Sequence, residues 1–237
     1  MKLSEGTLRQ EIKYKVFLKD EQTLYDWLYS SSFFQESYNS RLVNSLYFDT
    51  PNYDFASSNM SGESKRIKVR GRWYGQLGEN FLDSFVSESM IFNFEVKRKI
   101  NSLSDKLNIG SIKFDKKDEY LRRMKSIQDQ LESVCGNYST LSAFKLLSTV
   151  FTHYEREYFE LNSDNKIRLT IDKNISYCNS KAPSDLMLLA KDFVIVELKF
   201  NPDSRKKVNA LMKNFPFRQV RSSKFLSTLA QIQRVSY

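Results

Sequence analysis

In KRIKVRGRWYG, residues 65–75, polar and apolar positions alternate. Lys68, Arg70 and Arg72 are spaced by two, with Ile67, Val69 and Gly71 between them and opposite. A two-residue step turns about 200° around a helix axis and would scatter the three cations. A strand keeps them on one side. The same period predicts a strand at 9–18, where Glu11, Lys13 and Lys15 oppose Ile12, Tyr14 and Val16. It predicts others at 43–51, at 91–100 with Glu95, Lys97 and Lys99 on one face, and at 192–200 with Glu197 and Lys199. Residues 151–161 and 166–177 predict a hairpin around NSDN, with Arg156 and Arg168 on facing strands. Apolar steps of three and four predict helices at 20–30 (Leu24, Trp27, Leu28), 116–135 (Tyr120, Met124, Ile127, Leu131) and 141–150. Two more close the chain at 203–213 and 221–232. A short helix or turn is expected up to Met60, and a polar loop after residue 74.

A half-solvated antiparallel sheet also shows alternation. Here, however, the polar positions are mostly Lys, Arg and Glu, with little of the Thr, Ser and Gln usual on a wet sheet. The helices carry apolar stripes able to cover the apolar face. Covering that face and closing the sheet turns the charges inward, and a barrel of eight or so strands is wide enough for a small ligand. About ten cations would then share the interior and repel one another at low dielectric. A multiply charged anion relieves that repulsion, with Glu residues balancing charge or holding a metal. The fold class expected is α+β, a β-barrel with helices packed outside, as one domain over 1–237.

Charge supports this picture. Lys plus Arg exceeds Asp plus Glu by 37 − 28 = 9, which points to a polyanionic partner. No stretch approaches the ~18 apolar residues that span a bilayer, and residues 1–10 lack a signal-peptide core. The expected location is the cytoplasm. Cys135 and Cys178 form no CxxC pair, and no Gly-rich nucleotide loop occurs. His153 has no acidic or Cys partner at metal spacing and reads as structural. Arg205-Lys206-Lys207 reads as a solvated helix face, Arg122-Arg123 as a surface pair in preference to a tunnel mouth, and Trp73 and Tyr74 as packing residues.

Together RGRWYG (70–75), Glu11-Ile12-Lys13-Tyr14, SLYFDT (45–50), FEVKRK (94–99), Arg156 with Arg168, VELK (196–199) and SSKF (222–225) resemble the VTC domain. This is the polyphosphate polymerase module within the triphosphate tunnel metalloenzymes, the superfamily that includes CYTH-type phosphatases; stand-alone bacterial relatives are known. The resemblance implies an antiparallel eight-stranded tunnel and transfer of the ATP γ-phosphate to a growing polyphosphate chain, with Mn²⁺ or Mg²⁺. Carried over by position, Lys13, Arg70, Arg72, Lys97, Arg156, Arg168, Lys199 and Lys224 are its phosphate-binding set, to which Lys68 and Lys99 are added from their strand faces. Arg70, Arg72, Lys13, Lys199 and Glu197 are the expected catalytic group. Glu197 is the expected metal ligand, with Glu95 and Glu11 as weaker ones. The CYTH signature opens Glu-x-Glu-x-Lys, whereas this chain has Arg9-Gln10-Glu11-Ile12-Lys13, one carboxylate fewer.

The expected partners are ATP and polyphosphate or triphosphate; a membrane partner protein is compatible, although no SPX-type segment or membrane helix accompanies the domain. The oligomeric state, the acceptor and the activity of this copy stay open. One alternative is a triphosphatase that passes the phosphate to water. Another is a module that binds polyphosphate or a nucleotide without turnover. Nucleic acid is disfavoured, because Tyr14, Phe92 and Phe94 lie opposite the cations rather than among them.

Overall fold

The computed structural model describes residues 8–30, 33–76, 81–87, 89–188 and 192–235. The strands are β1 (Gln10–Phe17), β2 (Phe34–Asp49), β3 (Lys65–Gly75), β4 (Met90–Ile100), β5 (Leu103–Phe114), β6 (Leu147–Leu161), β7 (Asp164–Asn179), β8 (Ala182–Leu188) and β9 (Phe193–Phe200). The helices are α1 (Glu21–Ser30), α2 (Asp54–Met60), α3 (Phe81–Val86), α4 (Tyr120–Gly136), α5 (Arg205–Leu211) and α6 (Lys224–Val235). All the named strands pair antiparallel, in the order β1-β9-β7-β6-β2-β3-β4-β5, with β8 added to β7.

Among the described residues the two outer strands approach at one bridge, just before β1, where Arg9 and Ser104 of β5 exchange two backbone hydrogen bonds of 2.9 Å. No continuous ladder closes the sheet, so the closed eight-stranded barrel is corrected to a nine-stranded antiparallel sheet with helices. Near the bridge a side-chain contact takes over, where Lys97 of β4 reaches Glu11 at 2.6 Å.

Alternation places the helices outside. Val69 and Trp73 of β3, Phe92, Phe94 and Val96 of β4 and Phe151 of β6 form one core with Phe81 and Phe85 of α3 and Ile127 and Leu131 of α4. Ile12, Tyr14 and Val16 of β1 join Leu169 and Ile171 of β7, Val196 and Leu198 of β9, Leu24 and Leu28 of α1 and Val208 of α5 in a second. At the end of SLYFDT, buried Asp49 accepts the backbone N–H groups of Thr50, Phe55 and Ala56 at 2.8, 3.0 and 2.9 Å, which fixes the corner from β2 into α2.

Several expectations change. β2 begins at Phe34 rather than 43, because two register shifts between Glu36 and Arg41 break the period. β5 and β8 were not expected. β5 alternates mostly between exposed and half-buried positions and so lacks a strong apolar signature. No helix runs through 141–150: the chain turns there and enters β6 at Leu147, with the Leu146 carbonyl accepting from Gln128 of α4 at 3.0 Å. The loop expected after residue 74 contains α3, whose Phe81 and Phe85 fill the core; residues 77–80 lie outside the described ones. The closing helix expected at 203–213 shortens to α5, flanked by 3₁₀ turns at Pro202–Ser204 and Met212–Asn214. Arg123 is not a surface residue: it is fully buried and donates to the carbonyls of Phe85, Ser87 and Lys116 at 2.8, 2.5 and 2.7 Å. His153 is structural, with Nδ1 at 2.5 Å from Asn44 Oδ1.

Gly71 stands where no side chain fits, since a Cβ there would lie 1.7 Å from Phe92 Cζ. Gly71→Ala should cost about 1–3 kcal/mol through overpacking, lowering Tm by roughly 2–4 °C per kcal/mol for a chain of this size. Calorimetric melting checks it, and an unchanged Tm would contradict the packing.

Candidate functional site

Seven strands and one helix send charged groups to the inner face. Lys13 comes from β1, Lys68, Arg70 and Arg72 from β3, and Glu95 and Lys97 from β4. Lys106 comes from β5, Arg156 from β6, Asp172 from β7 and Glu197 and Lys199 from β9; Lys224 opens α6. Register brings them together: Lys13 lies opposite Glu197, Arg70 opposite Glu95, and Arg156 opposite Asp172.

The deeper groups are already paired. Arg70 holds Glu95 Oε2 through Nε and Nη2 at 2.9 and 2.7 Å, and Lys106 takes Glu95 Oε1 at 2.8 Å. Arg156 holds Asp172 at 2.5 and 2.8 Å, and Lys224 reaches the same carboxylate. Glu197 lies 3.6 Å from Lys13, 3.2 Å from Lys199 and 3.8 Å from Arg156. Buried Arg72 donates to the hydroxyls of Ser45 and Tyr154 at 3.2 and 3.1 Å. Burial opposes ionisation of Glu95, Asp172 and Glu197, yet the adjacent Arg and Lys groups hold all three below the ordinary carboxylate range.

Toward one end this face opens into a cavity of about 850 Å³. Seven cations (Lys13, Arg66, Lys68, Lys97, Lys99, Arg205 and Arg221) and one carboxylate (Glu11) are among its lining residues. Its wall is completed by residues 219–223, where the Ser222 carbonyl accepts from Lys13 at 3.1 Å and the Ser223 hydroxyl from Lys68 at 2.8 Å. Desolvation, reinforced by Lys13, Lys97 and Arg70, pushes Lys68 well below the usual ammonium range. Desolvation likewise lowers Lys199 to about 8, although Glu197 opposes the shift.

The cavity thus gathers Lys13, Lys68, Lys97, Lys99 and Glu11 from the expected set. Arg70, Arg72, Arg156, Lys199, Lys224, Glu95 and Glu197 share the same inner face without lining the cavity. Arg168 sits at an exposed position, in register with Lys199 and Glu160. Arg205 faces the cavity rather than solvent alone, which corrects the reading of its helix. Arg66, at the same two-residue step as Lys68, was legible but passed over. Asp172, four residues beyond Arg168 and so on the same face of its strand, was given no role, and Lys106 lies on the undetected β5.

A family model described as the VTC domain matches residues 5–233. The chain belongs to the VTC domain family. Within that family it is similar to vacuolar transporter chaperone complex subunit 2 of Saccharomyces cerevisiae, 29% identical over 154 residues. That match covers 57% of this chain and 18% of the yeast protein. Among solved structures, HpAC1 of Hippeastrum, an adenylyl cyclase by name with a dominant triphosphatase activity, superposes with TM-score 0.54 at 13% identity, over 95% of this chain and 96% of that one. PH1819 of Pyrococcus horikoshii gives 0.50 at 12%, over 95% and 99%. Such likeness shows that this VTC domain shares their overall fold, an antiparallel sheet with helices. No helix among the described residues is long and apolar enough to cross a membrane.

The expected metal meets a divided donor set. Among the described residues no three His, Cys, Asp or Glu side chains cluster as a cage, and Glu95 is taken up by Arg70 and Lys106. Glu11 is likewise taken, by Lys97 at 2.6 Å, whereas the cation nearest to Glu197 is Lys199 at 3.2 Å. One carboxylate so placed suits a small divalent ion that arrives on phosphate oxygens, the usual manner for Mg²⁺, and not one held by protein alone.

Asp172→Asn would leave Arg156 and Lys224 without their shared carboxylate and should destabilise the VTC domain by about 3–5 kcal/mol, read by urea denaturation. Because the folded state lowers the pKa of Asp172, its contribution is present above the ordinary carboxylate range and lost as pH falls through the depressed value. Lys68 and Lys199 give the converse test. Both are depressed in the free protein, so a bound anion restores their protons. Calorimetry with sulfate at about pH 9, in two buffers of different ionisation enthalpy, should show net proton uptake that shrinks in Lys68→Met. Uptake that is absent, or equal in the variant, would contradict the assignment.

Proposed function

We propose that this VTC domain, acting as one tunnel domain over 1–237, is a polyphosphate polymerase of the cytoplasm. The observation that carries the reading is the cavity in which seven cations face one carboxylate. Cations brought together from β1, β3, β4, α5 and the 219–223 segment would repel strongly there without a dense anion, and a phosphate chain supplies a charge on every unit. Arg70, Arg72, Arg156 and Arg168 hold the triphosphate of ATP, and Lys13, Lys68, Lys97, Lys99, Lys199 and Lys224 hold the chain. A terminal phosphate oxygen of the chain forms the new bond to the γ-phosphorus, the bond from that phosphorus to the β,γ-bridging oxygen breaks, and ADP leaves. The acceptor oxygen is already ionised, so alignment and charge stabilisation supply the effect without a general base. Mn²⁺ or Mg²⁺ carried on the phosphates, with Glu197 as protein ligand, would offset charge on the transferred group. Membership of a complex, as the name of the yeast relative describes, is part of the same proposal.

A second reading has its own support. Arg70 and Arg156 are each engaged by an internal carboxylate, which favours a module that binds the chain or a nucleotide at the lysine cavity without turnover. Incubation with ATP, Mn²⁺ and a short polyphosphate primer separates these. Acid-labile polymer with one ADP per added phosphate is expected, with Arg72→Ala slower by about 10²–10³. Free phosphate without polymer selects a triphosphatase, and tight binding without product selects the binding module. Either result overturns the polymerase.

A further inference from the structure

The inner face has a second end, and its chemistry differs. Along β3, Arg66 and Lys68 line the cavity, Arg70 and Arg72 follow, and Tyr74 emerges at the far end, 43% exposed. Trp73, pointing the other way, is 1% exposed in the core. Tyr74 is in register with Val43 of β2, and Arg41 lies two residues beyond Val43 on the same side. The register shift between Tyr38 and Arg41 adds one residue, so both face inward, opposite Tyr158 and Arg156 respectively. The Arg41 guanidinium lies 4.1 Å from the Tyr74 ring centre and 5.1 Å from that of Tyr158, and its Nε donates to the Tyr158 hydroxyl at 3.1 Å. Tyr38, 61% exposed, meets Tyr158 edge-on at 5.9 Å. Among the described residues no carboxylate forms an ion pair with Arg41.

We propose that Tyr74, Arg41 and Tyr158, with Tyr38 at the rim, form a platform for the planar base of a nucleotide whose phosphates extend inward toward Arg72. This rests on the proposed binding of a triphosphate to the inner face. Trp73, whose ring packs in the core, is buried. Here the exposed ring of Tyr74 and the half-buried ring of Tyr158 flank a cation that orders them, an arrangement on which nucleobases stack without sequence preference. Successive inward residues on a strand are about 6.6 Å apart, so a base on Tyr74 leaves its phosphates at Arg72 and Arg70. None of the described residues lining the opposite cavity is aromatic. The two ends therefore divide the substrates: the nucleotide base at the tyrosine end, the plain phosphate chain at the lysine end.

Calorimetric titration of the full chain with ATP and with inorganic tripolyphosphate tests this. Tyr74→Ala and Arg41→Ala should weaken ATP by about ten-fold or more while leaving tripolyphosphate unchanged. Tyr74→Phe, which keeps the ring, should retain ATP affinity and show that the fold is intact. Equal loss for both ligands, or no loss for either, overturns the base platform and leaves the phosphate reading standing. ATP binding that is Tyr74-sensitive in a chain that does not bind tripolyphosphate would uphold the platform and overturn the phosphate reading. Wild-type protein that binds neither overturns both.

Discussion

Mutual repulsion among enclosed cations governs this molecule. Lys13, Lys68, Arg70, Arg72, Lys97, Lys99, Lys106, Arg156, Lys199 and Lys224 share one face with Glu11, Glu95, Asp172 and Glu197, ten basic side chains against four acidic ones before Arg41 and Arg66 are added. Two like charges 4 Å apart at an effective dielectric of 20 repel by about 4 kcal/mol, so such a face cannot be dried without compensation. The protein compensates unevenly. On this face Glu95, Asp172 and Glu197 each bind two or three cations, whereas the cavity lysines have Glu11 among them and the hydroxyl and carbonyl of residues 222–223. The depressed Lys68 is the local sign of that imbalance. An anion is therefore wanted at the cavity and already supplied in the middle.

The rest of the fold follows from putting that face inside. Aromatic packing of Trp73 against Phe85 and Phe92, with ring centres at 5.2 and 5.7 Å, anchors α3 to the outside of β3 and β4. α1 and α5 do the same for β1, β7 and β9. α6 differs, because it joins the inner surface: Phe225 stacks on Tyr47 at 4.9 Å while Lys224 enters the Asp172 pair. The terminal helix is thus held by the same charges that form the site, and the site's wall depends on it.

The sequence made this face legible wherever a strand repeated charge at a strict two-residue step and buried the alternate positions. Residues 65–74, 91–100 and 192–200 satisfy both conditions, so their charged residues and their direction relative to the core were readable. β5 and the first half of β2 satisfy neither, because they are exposed on both faces or interrupted by register shifts, and with them Lys106, Tyr38 and Arg41 went unseen. Pairing was the other missing layer. Spacing shows that Arg156 and Asp172 point inward but not that they meet, since that depends on the register of two strands set by their bulges. The isolated bridge at Arg9 and Ser104 likewise arises from sheet curvature, which no local pattern encodes.

The choice of cation along the face carries a further lesson. Arginine stands where a fixed carboxylate or hydroxyl partner is built in, at positions 70, 72 and 156, and its planar fork suits such fixed geometry. Four of the seven cavity cations are lysines, at positions 13, 68, 97 and 99, and a lysine is a flexible point charge able to follow an anion that shifts. A site built to clamp one phosphate in a single geometry would favour the reverse order, forks at the opening and point charges within. Under the proposed function the order found suits a phosphate chain moving past the opening, with the tighter hold near Arg72, where β3 passes from paired arginines to the exposed tyrosine ring.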